Sequence, residues 1–476
     1  MAQFPRLGAC ASALALLLVG SPDRARPAEA GPAMGPGVVA FVHATVIPMD
    51  TERMLRDQTV IVDRGELVAI GPSAGLTVPA DAVRVDATGR FLMPALCDMH
   101  VHLVGEAWNI MQAPEARQRA KDLPQEQFLF PYLANGVTLV QALSATPEEV
   151  GLREHIARGE LLGPRLVLAR MIDGPDRAWP PPISTWVATP AEARAAVRDA
   201  KAAGYDKIKA YSFLDKASYD AIIATARELG MDVIGHVPMS LSLDDVLAAG
   251  QKLIAHSEEL AKHVDGDYSQ ARADAIAGKM AARGVWMTPT LATTRAILET
   301  LDRPDSAFAR PEAAWFRHPL EADIWTFIVE KLYRPVPGPA REDLRSAFGG
   351  FQVPLTRAFH QKGGNMMAGS DTIIPGLVPG FGLHRELSEL VKAGLTPYEA
   401  LRTSTTLPYV YLGEADKAGT IAIGKRSDLL LVSENPLQDV GGAAKVAGVL
   451  VRGRWIDAGE IKARMTTIAA GAAPAR

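Results

Sequence analysis

Between residues 91 and 415 the chain alternates short apolar runs with longer segments of helical periodicity. Two of the helical segments, 189–204 and 215–230, open on a residue that can cap a helix and close on glycine. Short apolar runs separated by helices predict strand–helix units with a parallel sheet. The predicted strands are 91–100, 136–143, 164–172, 206–211, 231–236, 252–256, 284–290 and 365–370.

Eight such units over roughly 325 residues fit a (β/α)₈ TIM-like barrel. An open doubly wound sheet is the alternative, although the sequence has no GxGxxG or GxxxxGK[ST] phosphate loop. Residues 31–90 and 416–476 contain short strand-like runs separated by Gly, Asp and Pro. We therefore predict an α/β protein in which a barrel at 91–415 carries a small composite β-sandwich built from both chain ends.

Residues 296–350 do not fit the simple repeat. The segment contains several aromatic residues and prolines and is too long for a plain connector. A lid over a functional site and an outer pair of helices both remain open.

Residues 1–30 have the layout of a secretory signal peptide. The first six residues contain one arginine, and a short apolar run follows them. Small residues then occur at Ala28 and Ala30. The apolar run is too short to span a bilayer, and a buried N-terminal helix is the alternative. We expect cleavage near Ala30, a periplasmic or secreted protein, and no membrane association after the signal is removed.

Composition narrows the class of protein. The chain has 476 residues, a net charge of -4, 48% hydrophobic and 22% charged residues, which is typical of a globular protein. The near-neutral balance shows no electrostatic footprint for nucleic acid. We expect a small-molecule partner and no nucleic acid, and a homo-oligomer is compatible with the sequence.

Chemically distinctive residues recur where the predicted strands end. His100 and His102 close the first strand, and the alternation of side chains along a strand points both to one side. In a barrel, functional groups gather at the carboxyl ends of the strands. The other strand-end residues of this kind are Lys209, His236, His256 and Asp371. Imidazole and carboxylate groups together are suitable ligands for divalent metal ions.

Lys209 needs a separate explanation, because a protonated ammonium repels a cation. A lysine carboxylated by carbon dioxide is instead an anion whose two oxygens can bridge two metal ions. The carbamate, Asp371 and a bridging hydroxide would supply about three negative charges against about four positive charges. We therefore predict two divalent ions, with Zn²⁺ as the best fit, and N6-carboxylysine at Lys209. Lys207 as the bridging lysine, and Lys209 in a salt bridge, are the alternatives.

At these residues the chain resembles the amidohydrolase superfamily, across roughly 40–460. It is most similar to the branch of imidazolonepropionase-related hydrolases and metal-dependent Xaa-Pro dipeptidases. The matching segments are FLMPALCDMHVHL, GVTLVQAL, AGYDKIKAY, VIGHVP, LIAHSEEL, MAGSDT and AGTIAIGKRSDLLLVSENPL. One departure is Gln141-Ala142, where members of this family often have Arg-Asp.

The resemblance implies a ligand assignment. His100, His102 and Asp371 would bind one metal ion. His236 and His256 would bind the other, and carboxylated Lys209 would bridge them. Imidazolonepropionases generally use one metal ion without the lysine, so Lys209 favours the two-metal branch.

The implied reaction is hydrolysis of the amide bond of a dipeptide or an N-acyl amino acid. A metal-bridged hydroxide would attack, with Asp371 as general base and then general acid. We expect an apolar acyl group and a leaving group with a carboxylate, for which Tyr211, Arg170 and His384 are candidate contacts. A lactone, ester or organophosphate hydrolase with the same site, and a catalytically silent metal-bearing binding protein, are the competing interpretations.

Overall fold

The computed structural model describes residues 37–103, 125–175, 179–315 and 324–471. The predicted signal peptide at 1–30 lies outside these ranges, as do residues 316–323 of the long segment 296–350. Within the described ranges, no helix combines the length and apolar character needed to cross a bilayer.

Seventeen strands are named in chain order. They are β1 (Val38–Val46), β2 (Leu55–Asp63), β3 (Glu66–Pro72), β4 (Val83–Asp86), β5 (Phe91–Pro94), β6 (Leu96–Val101), β7 (Val137–Ala142), β8 (Arg165–Asp173), β9 (Ser184–Trp186), β10 (Lys207–Ala210), β11 (Asp232–Gly235), β12 (Leu253–Ala255), β13 (Trp286–Thr288), β14 (Asn365–Met366), β15 (Leu429–Val432), β16 (Val446–Val451) and β17 (Arg454–Asp457).

The α-helices are named in the same way. They are α1 (Glu126–Ala134), α2 (Pro147–Ala157), α3 (Pro190–Ala202), α4 (Lys216–Glu228), α5 (Leu243–Ala249), α6 (Ser257–Ala261), α7 (Gln270–Ala282), α8 (Leu291–Asp302), α9 (Pro311–Trp315), α10 (Gly338–Ala347), α11 (Val353–Gln361), α12 (Phe381–Lys392), α13 (Pro397–Arg402), α14 (Thr406–Tyr411) and α15 (Ala458–Gly471). Short 3₁₀ turns cover Ser73–Gly75, Pro304–Ser306 and Val440–Ala444, and π-helical turns cover Ile328–Tyr333 and Phe348–Gln352.

A curled sheet forms the centre of the molecule. Its order is β14-β13-β12-β11-β10-β8-β7-β6, with β9 beside β8, and the strands pair in parallel. The Met99 N–H donates to the Ala368 carbonyl at 2.9 Å and the Asp371 N–H to the His100 carbonyl at 2.7 Å. These bonds join β6, the first strand of the sheet, to Ala368 and Asp371, which follow its last strand, β14. The prediction of eight parallel strands is therefore confirmed.

Strands from both chain ends form a second sheet. Its order is β17-β16-β15-β5-β1-β2-β3, with β4 beside β1, and β15 pairs antiparallel with β5. Distant parts of the sequence thus meet in one sheet, as expected. The complete composite β-sandwich remains a prediction.

The predicted strand at 91–100 is wrong as a single element. Phe91–Pro94 pair within the second sheet, whereas Leu96–Val101 belong to the curled sheet. Ala95 stands between them and donates its N–H to the Asp428 carbonyl at 2.9 Å. Pro94 has no N–H to contribute to a ladder, so the sheet partner can change at this point.

Capping and burial explain the helices around the curled sheet. The Thr189 side chain accepts from the Glu192 N–H and the Asp215 side chain from the Ser218 N–H, as the sequence predicts for α3 and α4. The helices cover the outer face of the sheet; Ile222 of α4, for example, is fully buried. Each such aliphatic side chain contributes about 1.5–3 kcal/mol on burial.

The described part of 296–350 packs against the loop that follows Asp371. Trp325 and Ile328 share an apolar cluster with Ile373. The Trp325 indole Nε1–H donates to the Ile373 carbonyl at 3.0 Å. Residues 324–328 therefore lie against the loop at the carboxyl edge of the curled sheet, and the lid and the outer helical pair both remain open.

Candidate metal centre

Three of the six predicted ligands meet closely. One ligand atom from each of His100, His102 and Asp371 lies within 4.8 Å of the others. Oδ1 of Asp371 is 2.8 Å from Nε2 of His102 and 3.2 Å from Nε2 of His100. The histidines come from the end of β6 and the aspartate from the loop after β14, whose backbones are hydrogen bonded to each other.

The other two histidines continue the cluster. Nδ1 of His256 lies 4.0 Å from Oδ2 of Asp371, and its ring centroid is 4.5 Å from that of His100. The His236 ring follows at 5.2 Å from the His256 ring. Each directly follows its strand, β11 and β12. Four imidazoles and one carboxylate thus form one contiguous group at the carboxyl edge of the curled sheet.

Lys209 lies in β10 and is 1% exposed. Its Nζ is 5.0 Å from the centroid of the Tyr211 ring, which is 4.1 Å from the His236 ring. Gly235 leaves room for the lysine stem, because a Cβ there would lie 2.8 Å from Lys209 Cγ and 2.4 Å from the Ala210 carbonyl oxygen. The lysine reaches the histidine cluster, while its carboxylation and bridging role remain predictions.

Lys207 occupies a different position. Its Nζ is 2.7 Å from Oδ2 of Asp232 and 4.6 Å from the centroid of the Tyr411 ring. Asp232 is the first residue of β11, so this ion pair lies towards the amino ends of the strands. These contacts give Lys207 a structural role and leave Lys209 as the lysine beside the histidines.

Hydrogen bonds hold the imidazole rings from outside the cluster. The contacts are His102 Nδ1 with Ser144 Oγ at 2.7 Å, His236 Nδ1 with Ser212 Oγ at 2.9 Å and Glu259 Oε1 at 3.2 Å, and His256 Nδ1 with Thr290 Oγ1 at 2.8 Å. Partners of this kind fix ring orientation and leave the Nε2 atom for a metal ion. None of the four partners was predicted from the sequence, although Ser144, Ser212 and Glu259 follow predicted strands within a few residues and Thr290 ends one.

The protonation states suit a metal site. Burial, with the neighbouring His256 and Lys209, holds the pKa of His100 well below its usual value. Burial and Lys209 do the same for the pKa of His236, and burial lowers the pKa of His256 to about 4. These imidazoles are therefore neutral at pH 7, the form in which histidine binds metal.

Asp371 supplies the negative charge. Burial works to raise the pKa of Asp371, but the neighbouring His256 and the bond with His102 outweigh it and lower this pKa below the usual range. Within the described ranges, the two ring nitrogens of His100 and the Nε2 of His236 make no hydrogen bond, although both rings are buried. Buried imidazole nitrogens without partners, facing a carboxylate, fit a bound divalent cation.

The backbone at two of these residues is unusual. Asp371 has φ of 51° and His256 has φ of 67°, in a region that non-glycine residues rarely adopt. Asp98 fixes the residue before Asp371, because its carboxylate accepts from the Ser370 N–H at 2.9 Å and the Ser370 hydroxyl at 2.5 Å. Such conformations persist where the surroundings enforce them, and they cluster at functional sites.

The structure places the three candidate substrate contacts in different surroundings. Tyr211 stacks beside His236 at the cluster. Arg170 donates to the Pro182 carbonyl at 2.5 Å and the Thr185 hydroxyl at 3.0 Å. His384 bonds through Nε2 to the Asn135 carbonyl at 3.0 Å, next to the start of β7. Only Tyr211 of the three directly contacts a predicted ligand in the described structure.

The fold and this cluster define an α/β protein with a histidine- and carboxylate-lined centre at the carboxyl ends of parallel strands. The family model described as "Amidohydrolase family" matches residues 91–456. The chain belongs to that family.

Solved structures share the fold. A Xaa-Pro dipeptidase with bound methionine has a TM-score of 0.66 at 20% identity, over 88% of this chain and 100% of that chain. A prolidase complexed with N-methylphosphonate-L-proline has a TM-score of 0.66 at 20% identity, over 88% and 99%. Bottromycin amidohydrolase has a TM-score of 0.67 at 23% identity, over 92% and 91%.

Curated relatives match shorter stretches. A 5-methylthioadenosine/S-adenosylhomocysteine deaminase of Symbiobacterium thermophilum is 28% identical over 153 residues, covering 27% of this chain and 35% of the relative. An adenine deaminase of Ruegeria sp. is 30% identical over 57 residues, covering 12% and 10%. The chain thus spans about a third or less of the curated relatives that it matches.

Proposed function

We propose that the protein is a metal-dependent amidohydrolase that cleaves the amide bond of a dipeptide or an N-acyl amino acid. The observation that carries this proposal is the contact of His100 and His102 with Asp371, at 3.2 and 2.8 Å, beside His256. Neutral imidazoles around an ionised carboxylate are a suitable binding site for divalent metal ions.

The ligands of two metal ions would be the residues named from the sequence. His100, His102 and Asp371 would hold one ion, His236 and His256 the other, and a carboxylated Lys209 would lie between them. When bound, such ions polarise a carbonyl group and lower the pKa of a bound water to about 7.

Asp371 is placed for proton transfer. It is ionised, because the nearby histidines lower its pKa. It can accept a proton from the attacking water and return it to the leaving amine, first as general base and then as general acid. The hydrogen bond with His102 and the anchoring of Ser370 by Asp98 keep the carboxylate in position.

The substrate class rests on the site and the similar structures together. Names such as prolidase, Xaa-Pro dipeptidase and bottromycin amidohydrolase describe proteins that share this fold. Tyr211 offers a phenol beside His236 that can contact a polar group of the substrate. These observations favour an amide with an apolar acyl group and a carboxylate on the leaving amine.

The test is a hydrolysis screen on protein of measured metal content. Xaa-Pro dipeptides and N-acyl amino acids would be compared with a lactone, an ester and an organophosphate. Asp371→Asn should lower kcat by about 10²–10⁴-fold, the range for a general acid or base. Asp232→Asn is the matched control, because Asp232 is a carboxylate at the opposite ends of the strands.

The result of the hydrolysis screen distinguishes the proposed function from its alternatives. Turnover of amides supports the proposal, and turnover of only lactones, esters or organophosphates replaces its substrate class. Metal-loaded protein that turns over none of them would instead be a silent binding protein.

We also propose that residues 1–30 direct export to the periplasm or the medium. The apolar run and the small residues at Ala28 and Ala30 support this. Sequencing the amino terminus of the mature protein should find a start near residue 31. A native mass measurement on the same sample would test for a homo-oligomer.

A further inference from the structure

A cavity of about 500 Å³ lies at the amino ends of β7 and β8, between the curled sheet and the second sheet. Thr138 of β7 and Arg165 of β8 line it, together with residues of the second sheet such as Leu429 and Val451. The histidine cluster lies at the other ends of the strands, and a strand of the length of β8 spans roughly 25 Å. The volume is within the range of small-molecule sites.

The charged side chains that line the cavity form an exposed group and a half-buried group. The exposed ones are two cations and two anions, Arg64, Lys417, Glu66 and Asp416. The half-buried ones are four cations and one anion, Arg153, Arg165, Arg426, Arg452 and Asp428. The rim is therefore balanced, whereas the inner wall is cationic.

One shared carboxylate explains the positive inner wall. Glu414 accepts from Arg165 through both oxygens, at 2.6 and 2.7 Å, and also from Arg426 at 2.5 Å. Two guanidinium groups, each with one positive charge, thus share the single negative charge of Glu414. The other half-buried arginines have an anion each, because Asp206 lies 2.9 Å from Arg153 and the Asp428 charge acts on Arg452. One positive charge is left in excess beside the cavity.

Buried residues of the strands form the closed part of the cavity wall, and Thr138 is one of them. It is 1% exposed, and its hydroxyl has no hydrogen-bond partner among the described residues. The hydroxyl oxygen has almost no accessible surface, so Thr138 belongs to the closed wall of the cavity. Leu139, Ile156 and Leu166 provide apolar wall beside it.

We propose that this cavity binds a small organic monoanion, a carboxylate on an apolar body, at a site separate from the metal centre. The excess charge of the Arg165–Glu414–Arg426 group attracts one carboxylate, and guanidinium groups suit carboxylates geometrically. The aliphatic wall covers the apolar body of the ligand.

The experiment uses the full metal-loaded protein and 4-bromobenzoate as the probe. Calorimetric titration should show binding, and the neutral 4-bromobenzamide should bind at least tenfold more weakly. Crystals soaked in 4-bromobenzoate should show anomalous bromine density between β7 and the second sheet. Arg426→Gln removes the excess charge and leaves the Arg165–Glu414 pair intact, so the Kd should rise about tenfold.

Two controls separate this site from the metal centre. Asp371→Asn should leave the Kd for 4-bromobenzoate unchanged, and Arg426→Gln should remain folded and keep the metal content of the parent protein. Equal affinity for the acid and the amide would overturn the proposal. So would an unchanged Kd in Arg426→Gln, or bromine density only beside the histidines. None of these results depends on which bond the metal centre hydrolyses.

Discussion

Oε1 of Glu259 lies 3.2 Å from Nδ1 of His236 and accepts a hydrogen bond from Nζ of Lys262 at 2.5 Å. Glu259 is 1% exposed, and His236 is buried. A buried carboxylate thus connects a lysine to an imidazole that we propose as a metal ligand. Carboxylates in this position orient the ring and make it a stronger ligand.

Glu259→Gln should therefore weaken metal binding. The amide keeps the size of the side chain but loses its charge, and loss of such a partner typically costs about 10–100-fold in metal affinity. Competition with a chelator would measure the change. Glu258→Gln is the matched control, because Glu258 also pairs with Lys262, at 3.1 Å, but has no contact with His236 among the described ion pairs. Equal losses in both variants would contradict the role of Glu259.

Lys209→Ala should lose at least one metal ion and nearly all hydrolysis, because the proposed bridging anion is removed. Elemental analysis and the amide assay would measure both effects. Lys207→Ala provides the comparison, since it changes the same residue type on the same strand. It should keep the metal and lower the melting temperature, because Asp232 loses its ion pair at 2.7 Å. A Lys209→Ala protein with two ions and full turnover would show that the lysine does not bridge.

His384 should make the stability of the protein sensitive to pH. Burial lowers the pKa of His384 from 6.5 to about 4. As the pH falls from 6.5 towards 4, the unfolded state takes up a proton before the folded state does. The free energy of unfolding should therefore fall across this interval, by up to about 3 kcal/mol from this residue.

Chemical denaturation at a series of pH values would test this. His384→Gln can still donate to the Asn135 carbonyl but cannot take up a proton. Its stability curve should be flatter than that of the parent between pH 6.5 and pH 4. Parallel curves would mean that His384 is not the titrating group.

Trp325→Phe should loosen the segment over the metal centre. The change removes the donor to the Ile373 carbonyl, two residues after Asp371, and should cost about 1 kcal/mol of stability. We expect a lower kcat/KM as well, because the loop carrying the proposed general base loses a contact. Trp455→Phe, in the second sheet, should leave kcat/KM unchanged while losing its edge contact with Phe41. Equal kcat/KM in Trp325→Phe and the parent would argue against a lid.

The positions of the histidines could be predicted from the sequence because parallel strands share one carboxyl edge. A residue such as His236 or His256 directly after an apolar run therefore falls at that edge. The position of Asp371 could be predicted by the same rule, because it directly follows the predicted strand 365–370. The sequence favours Lys209 over Lys207, and the structure adds that Lys207 forms an ion pair with Asp232.

The outer partners could not be predicted in the same way. Ser144, Ser212 and Thr290 lie in turns after the strands, where the path of the chain depends on packing rather than on periodicity. The apolar run at 91–100 predicts a single strand, although Pro94 interrupts it. A continuous buried run looks the same whichever neighbours it pairs with.

The single residue Ala95 between β5 and β6 has a mechanical consequence. The two sheets share one continuous stretch of backbone, with a single residue between the two strands. Inserting or deleting one residue there would turn β6 over relative to its neighbours, because side chains alternate with a period of two. His100 and His102 would then point into the surrounding helices, while a two-residue change would restore their direction. The number of residues between β5 and β6, and not only their identity, therefore determines the direction in which the metal-binding side chains point.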